Sequence, residues 1–416
     1  MYRVWDFLSS YTWTLATGAV LALVCANLFP DVYSVLTAFP IWFGQTLGQD
    51  AGHWLEAHGR LFDIDELGDV ARVVTLGSLT NQVFMAAFLF LAGKELWEAL
   101  ILDRGALRGR DALLPGCAGI GGVVVPALIF LGLNTALSTQ AGAAWAVPTN
   151  TDIAVAYVIG RLAFGPSHPA LRFVLLIAIV DDAVAMAVLA LFYSDHPLDV
   201  FWLLAALASV LAVYGLFNLW PRLRDGSDPM KPVQTRIRLR FGLVPYVLVG
   251  GFAFYAVQRS GLNPVLGLLP VIPAIPHADR AFGVFSQAES HLHDLLNRAE
   301  RMLSYPTGVI LFLFAFCNAG VDLSSIGPLT AIVVIALILG KPLGIALGTV
   351  VAGRFTGPGL PTKDLLAAGA VASCGFSLSL LFADAAALPT EQTDAIKLGI
   401  LISLAAVAGV LALIRA

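Results

Sequence analysis

Seven ionisable side chains lie inside apolar stretches of this 416-residue sequence: Lys94, Glu95, Glu98, Asp152, Asp181, Asp182 and Lys341. Charged groups in such surroundings are costly, so they face a cavity or one another and mark candidate sites by default. Asp181 and Asp182 sit deep in LRFVLLIAIVDDAVAMAVLALFY. Neighbours on a helix do not share a face, so one carboxylate can meet a cation in a cavity while the other pairs elsewhere. Two adjacent carboxylates in a low dielectric resist being ionised together, so the pair takes up either protons or a cation. A helix-packing or capping role is the bland alternative, and an adjacent pair at mid-membrane serves it poorly. Lys341, in IVVIALILGKPLGIALG, needs a carboxylate partner. Asp181 and Asp182 are the obvious candidates, with Asp152 behind them. The bridge is either permanent and structural, or present only when the site is empty, which makes Lys341 a second proton carrier.

Two segments look like interrupted helices. In AWAVPTNTDIAVAYVIGRLAFG, Pro148 is followed by Thr149, Asn150, Thr151 and Asp152, all helix-breaking or capping types. An unwound stretch is tolerable in a membrane only where it lines a cavity. Thr151 could then supply a hydroxyl ligand and Asp152 a compensating charge for the helix ends; a capped proline kink is the simpler account. Ser373, Gly375, Ser377 and Ser379 in AAGAVASCGFSLSLLFADAAALP form a second candidate interruption, against which stands close packing through small residues. Glu95 and Glu98 share a face beside Lys94, reading either as a cytoplasmic funnel or as a solvated helix end. Asn263, Asn318 and Asp322 read as caps or packing groups, and His277, His291 and His293 as solvated. Cys25, Cys117, Cys317 and Cys374 stand singly, without CxxC. No metal-ligand spacing, Gly-rich phosphate loop or basic-aromatic nucleic-acid patch is present, so the sequence implies no cofactor and no nucleic-acid partner.

The elements that must position these groups follow from composition. Hydrophobic types make up 58% and charged residues 12%, against about 25% charged in a soluble chain; mean hydropathy is +0.83. Such a chain has more apolar surface than one water-soluble core can hide, and the excess faces lipid. At roughly 20 residues per crossing, the length fits an all-α polytopic membrane protein of about twelve spans. They fall near 11–30, 78–102, 111–137, 143–164, 169–193, 199–220, 241–257, 262–276, 303–320, 328–353, 365–387 and 393–414. The opening segment reads as a retained first span, lacking a small-residue cleavage pattern. Twelve spans put both termini on one side. Of 24 Lys and Arg, eighteen then fall on the side of the termini, four on the other, and the remaining two, Lys94 and Lys341, within spans. Basic residues collect on the cytoplasmic face, so both termini are cytoplasmic.

Residues 1–416 read as a single transmembrane domain with two long loops. Residues 31–77 are acidic, face outward, and suggest an amphipathic surface segment followed by a small hairpin or short helix. Residues 277–302 face inward as an amphipathic helix, with a solvated face or a regulatory surface as the two readings.

WAVPTNTDIAVAY, AIVDDAVAMAVLALFY, FAFCNAGV and LILGKPLGI, in this order and supported by GIGGVVVPALIF and AIKLGILISLAAVAG, resemble the NhaA family of Na+/H+ antiporters over nearly the whole chain. The resemblance implies inverted-topology repeats with two discontinuous helices crossing at the membrane midplane. It implies electrogenic export of Na+ or Li+ against protons at a bacterial inner membrane, not enzyme chemistry. It also implies a homodimer among membrane lipids to which the 31–77 loop contributes. The family's ion-binding aspartate falls on Asp182, with its neighbour on Asp181, the lysine on Lys341, the threonine–aspartate of the break on Thr151 and Asp152, and the funnel acid on Glu95. Asn263 stands where the family often has histidine, Trp97 and Ala99 replace charged residues, and the run at Ser373–Ser377 differs. These departures bear on pH regulation more than on the central aspartates.

Three other functions fit less of the pattern. A cation-coupled symporter of a small organic solute on the same architecture needs a larger polar cavity. A channel has no need of Lys341. A membrane aspartic protease needs its carboxylates on opposed helices.

Overall fold

The computed structural model describes residues 2–45, 48–62, 64, 68, 70–102, 105–107, 109–194, 197–226, 228, 230–277, 294–356 and 360–415. Helices dominate. Among the described residues, seven are long and apolar enough to cross a membrane: Tyr11–Leu28, Leu76–Leu100, Leu113–Ala136, Pro169–Phe192, Val200–Asp225, Leu295–Asn318 and Pro328–Phe355. Two further spans are bent pairs, Pro232–Phe241 with Val244–Arg259 at 65° and Thr362–Ala372 with Ser377–Ala385 at 52°. Shorter or more polar helical segments complete the series: Gly142–Thr149 followed by Ile153–Phe164, then Pro264–Ala274, then Thr390–Arg415. Each of the twelve spans read from the sequence falls on one of these. Leu128, Leu162, Leu204, Leu211, Val247 and Leu347 are all more than half exposed, an outward apolar surface that suits lipid and not water.

The chain forms two compact units. The first comprises residues 1–39, 105–189 and 311–416, the second 40–104 and 190–310. In the first, the order whole span, broken span, whole span occurs twice: Leu113–Ala136, 142–164 and Pro169–Phe192, then Pro328–Phe355, 362–385 and Thr390–Arg415. Corresponding members stand seven places apart in the order of spans, so the two sets run in opposite directions. Its core joins both sets through Ala156, Val174, Ile177, Ile345, Ala368 and Val371. The leading helices of the two sets touch backbone to backbone. A Cβ on Gly121 would collide with the Gly344 carbonyl, one on Gly344 with the Gly121 carbonyl, and one on Gly348 with the Cys117 carbonyl. Within Pro328–Phe355 a π-turn, Ala336–Gly340, directly precedes Lys341; such turns often mark functional positions.

In the second unit, Phe90, Val210, Tyr246, Ala253, Val271 and Leu296 form the core. The expected eighth span is a 3-10 helix, Pro264–Ala274, capped by the Asn263 side chain on Val265 N–H. Pro270 and Pro273 lie inside it, and the amide hydrogens they lack remove two of the bonds that would favour a regular α-helix. The 31–77 loop is more built than a hairpin. Strands Pro40–Gly44 and Gln49–Asp50 both pair antiparallel with Arg72–Thr75, which lies between them. The intervening helix Ala51–Phe62 buries Trp54 against Val73. Of the amphipathic stretch read at 277–302, residues 278–293, with His291 and His293, lie outside the described residues. Leu295 already starts the next membrane helix. His277 is half-buried, not solvated: its Nδ1 faces the Ile275 carbonyl at 2.7 Å while Trp97 Nε1 donates to its Nε2 at 3.3 Å.

The glycine contact yields a stability prediction. Gly344→Val forces the two backbones apart and costs about 1–3 kcal/mol, the usual range for overpacking. Gly353→Val, on the same helix with open space around it, leaves stability nearly unchanged. Thermal unfolding of the two variants in detergent, followed by size-exclusion chromatography, checks the difference.

Candidate functional site

The site lies in the first unit, where its two broken spans meet. In the first of them the Gly142–Thr149 helix ends at Asn150, which is extended at φ −92° and ψ 156°, and the chain turns helical again only after Asp152. In the second, Ala372 ends one half and Ser377 starts the other. Each break leaves amides at one helix start and carbonyls at one helix end without intrahelical partners, in a region where lipid offers none.

One carboxylate serves both helix starts. Asp152 Oδ1 accepts from Ala154 N–H at 3.1 Å and Val155 N–H at 3.2 Å, capping its own half-helix. Asp152 Oδ2 accepts from Ser377 N–H at 3.3 Å and Ser377 Oγ at 2.5 Å, at the start of the other half-helix. A negative charge between two positive helix ends is favourable to both. The helix ends are served by donors. Lys341 Nζ donates to the Thr149 carbonyl at 2.7 Å, and Thr151 Oγ1 lies 2.8 Å from the Ala372 carbonyl. Asp152 N–H also donates to the Cys374 carbonyl at 2.8 Å.

Lys341 also reaches Asp181, and the one hydroxyl hydrogen of Thr151 can go either to the Ala372 carbonyl or to Asp181. Asp181 Oδ2 is 3.0 Å from Lys341 Nζ and 2.7 Å from Thr151 Oγ1. Lys341 and Asp181 are wholly buried, so the sequence's choice of partner for the lysine resolves to Asp181. Asp182 behaves differently. It keeps 7% of its surface, and no hydrogen bond or ion pair to it occurs among the described residues. The adjacent carboxylates are therefore one tied and one untied, as their angular separation on a helix allows.

The chain scores a near-complete match to the family described as Na+/H+ antiporter 1, over residues 8–414. It belongs to that family of transporters. The Na(+)/H(+) antiporter NhaA of Jannaschia sp. (strain CCS1) is 44% identical, covering 98% of this chain and 96% of the relative. The NhaA of Geobacter sulfurreducens is 32% identical over 96% and 94%, and that of Desulfitobacterium hafniense strain DCB-2 is 33% identical over 98% and 94%. With its long apolar helices, this NhaA family member is a multi-pass membrane protein.

Asp181, Asp182, Lys341, Thr151, Asp152 and Ser377 thus occupy one crossing. Ser373 does not join them, because its hydroxyl bonds back to the Gly369 carbonyl at 3.0 Å within its own helix. Glu95 and Glu98 belong to the second unit. There Lys94 Nζ, wholly buried, lies 2.9 Å from Glu98, 3.0 Å from Glu300 and 3.6 Å from Glu95. In the sequence Lys94 stands as a flanking charge, and nothing there marks Glu300 as its partner. The amphipathic stretch around Glu300 gave no sign that one of its acids turns inward. Asn318 Nδ2 donates to Phe314 O, and Asp322 caps Ser324 N–H, the local roles their positions suggested. Asn150 was read only as a helix breaker, yet it is 1% exposed.

Removing one partner of a buried pair leaves an uncompensated charge, at a cost of about 3–5 kcal/mol. Lys341→Met should lower the melting temperature in detergent sharply, and the double variant Lys341→Met with Asp181→Asn should recover part of the loss. Two additive losses would show that the bridge is not what stabilises the crossing.

Proposed function

We propose that the chain is an electrogenic antiporter that exports Na+ or Li+ in exchange for protons, with cation and proton competing for Asp182. The observation that carries this reading is the contrast between neighbours. Asp181 is held by Lys341 with the Thr151 hydroxyl in reach, while Asp182, buried but for 7% of its surface, makes no hydrogen bond or ion pair among the described residues.

Exchange needs only competition at a site that opens alternately. Facing the cytoplasm, Asp182 releases its proton and accepts Na+, with Asp181 and the Thr151 hydroxyl beside it as further oxygen ligands. The loaded site crosses, and protons from outside displace the ion. A second proton is carried by the Asp181–Lys341 pair. Two protons for one Na+ bring one net charge inward per cycle, which makes about 2.3 kcal/mol per 100 mV available for export. Asp152 and Ser377 hold the broken helices, and Glu95 and Glu98 gather ions at the cytoplasmic entrance. The protein sits in a bacterial inner membrane with both termini cytoplasmic, as the distribution of basic residues favours. It forms a homodimer through the outer loop. The strand Pro40–Gly44 is a sheet edge and exposes Ile41, Trp42 and Phe43 by 40% or more. An open apolar edge of this kind invites pairing.

Proteoliposomes with an internal pH dye and a membrane-potential dye test this reading. Pulses of Na+, Li+ and K+ across a preset pH gradient should evoke proton movement and charge transfer for Na+ and Li+. Asp182→Asn should abolish both. Activity should fall away as pH drops, because a protonated Asp182 no longer takes the cation. A well-folded wild type that stays silent with every cation from pH 6 to 9 would overturn the antiporter reading.

A further inference from the structure

The crossing of the broken spans holds buried polar atoms that have no hydrogen-bond partner among the described residues. Asn150 Oδ1 and Nδ2, Ser379 Oγ and Asp181 Oδ1 are all fully buried and lack hydrogen-bond partners. Buried polar atoms in folded proteins nearly always have a partner, supplied by protein, water or a bound ion. An amide with both ends orphaned departs from that rule twice over.

The position of Asn150 says what would fill the gap. It lies between Thr149, whose carbonyl takes Lys341, and Thr151, whose hydroxyl reaches Asp181. Its backbone carbonyl and the Ser379 hydroxyl come together at Gly375. A Cβ placed there would stand 2.8 Å from Asn150 O and 2.6 Å from Ser379 Oγ, so glycine is what lets the two broken spans approach. Two neutral oxygens, the Asn150 main-chain carbonyl and the Ser379 hydroxyl, therefore meet where the broken spans cross, one residue along the chain from the Thr151 hydroxyl that reaches Asp181, and the unpartnered Asn150 amide is buried at the same break. An alkali cation that sheds water needs several oxygens in its place, and carbonyl-type oxygens are suited to that task. The carboxylates supply charge, and the crossing supplies number.

We propose that Asn150 is a ligand of the transported cation, its amide oxygen completing the coordination begun at Asp182, with Ser379 in the same neutral oxygen set. This inference rests on the antiporter reading and assigns it a specificity-determining residue.

Asn150→Ala, Asn150→Ser and Ser379→Ala, compared with wild type in proteoliposomes, give the test. Asn150→Ala should raise KM for Na+ about tenfold, one lost ligand's share of affinity, while kcat stays within about twofold. Asn150→Ser, which keeps an oxygen, should fall between. The ratio of KM for Na+ to KM for Li+ should change, because the two ions differ in size. Calorimetric titration of purified protein with NaCl gives a second readout that does not depend on turnover, and Kd should shift as KM does. If Asn150 only holds an ordered water or packs the break, kcat and yield drop for both cations alike with KM and Kd unmoved, and the proposal fails. Unchanged kinetics in Asn150→Ala beside an active wild type also overturn it. An inactive wild type instead overturns the antiporter reading on which it rests.

Discussion

Helices broken in mid-membrane leave amides and carbonyls that lipid cannot solvate, and the first unit is organised around meeting that demand. Each unsatisfied group costs several kcal/mol, far more than a loop in water would pay. Asp152 meets the two helix starts with one oxygen each. Lys341 and Thr151 meet one helix end each. Lys341 holds Asp181 as well, and the single Thr151 hydroxyl hydrogen has the Ala372 carbonyl and Asp181 Oδ2 both within reach and serves one at a time. The groups that keep the breaks tolerable are thus the groups that hold one of the two central carboxylates. Under the proposed exchange, a change in the partners of Asp181 alters what satisfies the helix ends. Ion occupancy and helix geometry are therefore coupled at the level of individual hydrogen bonds.

The inequality of Asp181 and Asp182 follows from elementary helix geometry. One residue of rotation turns Asp181 toward Lys341 and Thr151 and leaves Asp182 facing elsewhere. Under the proposed exchange, a single carboxylate would have to choose between stabilising the buried lysine and remaining available to an incoming ion. Two in sequence divide the tasks on one rigid helix, without any movement of the backbone between them.

Much of this was legible in the sequence because charge inside apolar runs is rare enough to be conspicuous. Asp181, Asp182 and Lys341 identified themselves in this way, and Pro148 with Asp152 announced the first break. The partner of Lys341 was not legible, since three carboxylates were eligible and spacing along the chain carries no distance across it. Ser373 and Ser377 looked alike in sequence. Only the fold separates a hydroxyl that bonds back within its helix from one that reaches Asp152. The 3-10 character of Pro264–Ala274 could have been inferred from its three prolines, but hydropathy alone registers such a segment as an ordinary span. Glu300 was hidden because amphipathic periodicity reports a polar face and not which member of that face turns inward to Lys94. The order of the outer sheet was equally hidden, because strand pairing between residues 40 and 75 is set by contacts that local pattern does not encode.

The distribution of charge and breakage between helices has its own logic. Asp181 and Asp182 stand on Pro169–Phe192, which runs unbroken for 24 residues, while the neutral oxygens of Thr151, Asn150, Ser377 and Ser379 stand at or beside the breaks. An intact helix has every mid-span amide and carbonyl paired within itself, so it holds its side chains at a fixed depth. A break has backbone groups that can exchange one partner for another. Fixing the costly charges on the stiff element and placing the neutral oxygens on the adaptable ones lets the crossing exchange hydrogen-bond partners without moving an ionised group through low dielectric. The reverse arrangement, carboxylates at the breaks and hydroxyls on the rigid helix, would add a desolvation cost to each movement of the site. Asp152 is the one charge placed at a break, and it is the one held by both helix starts.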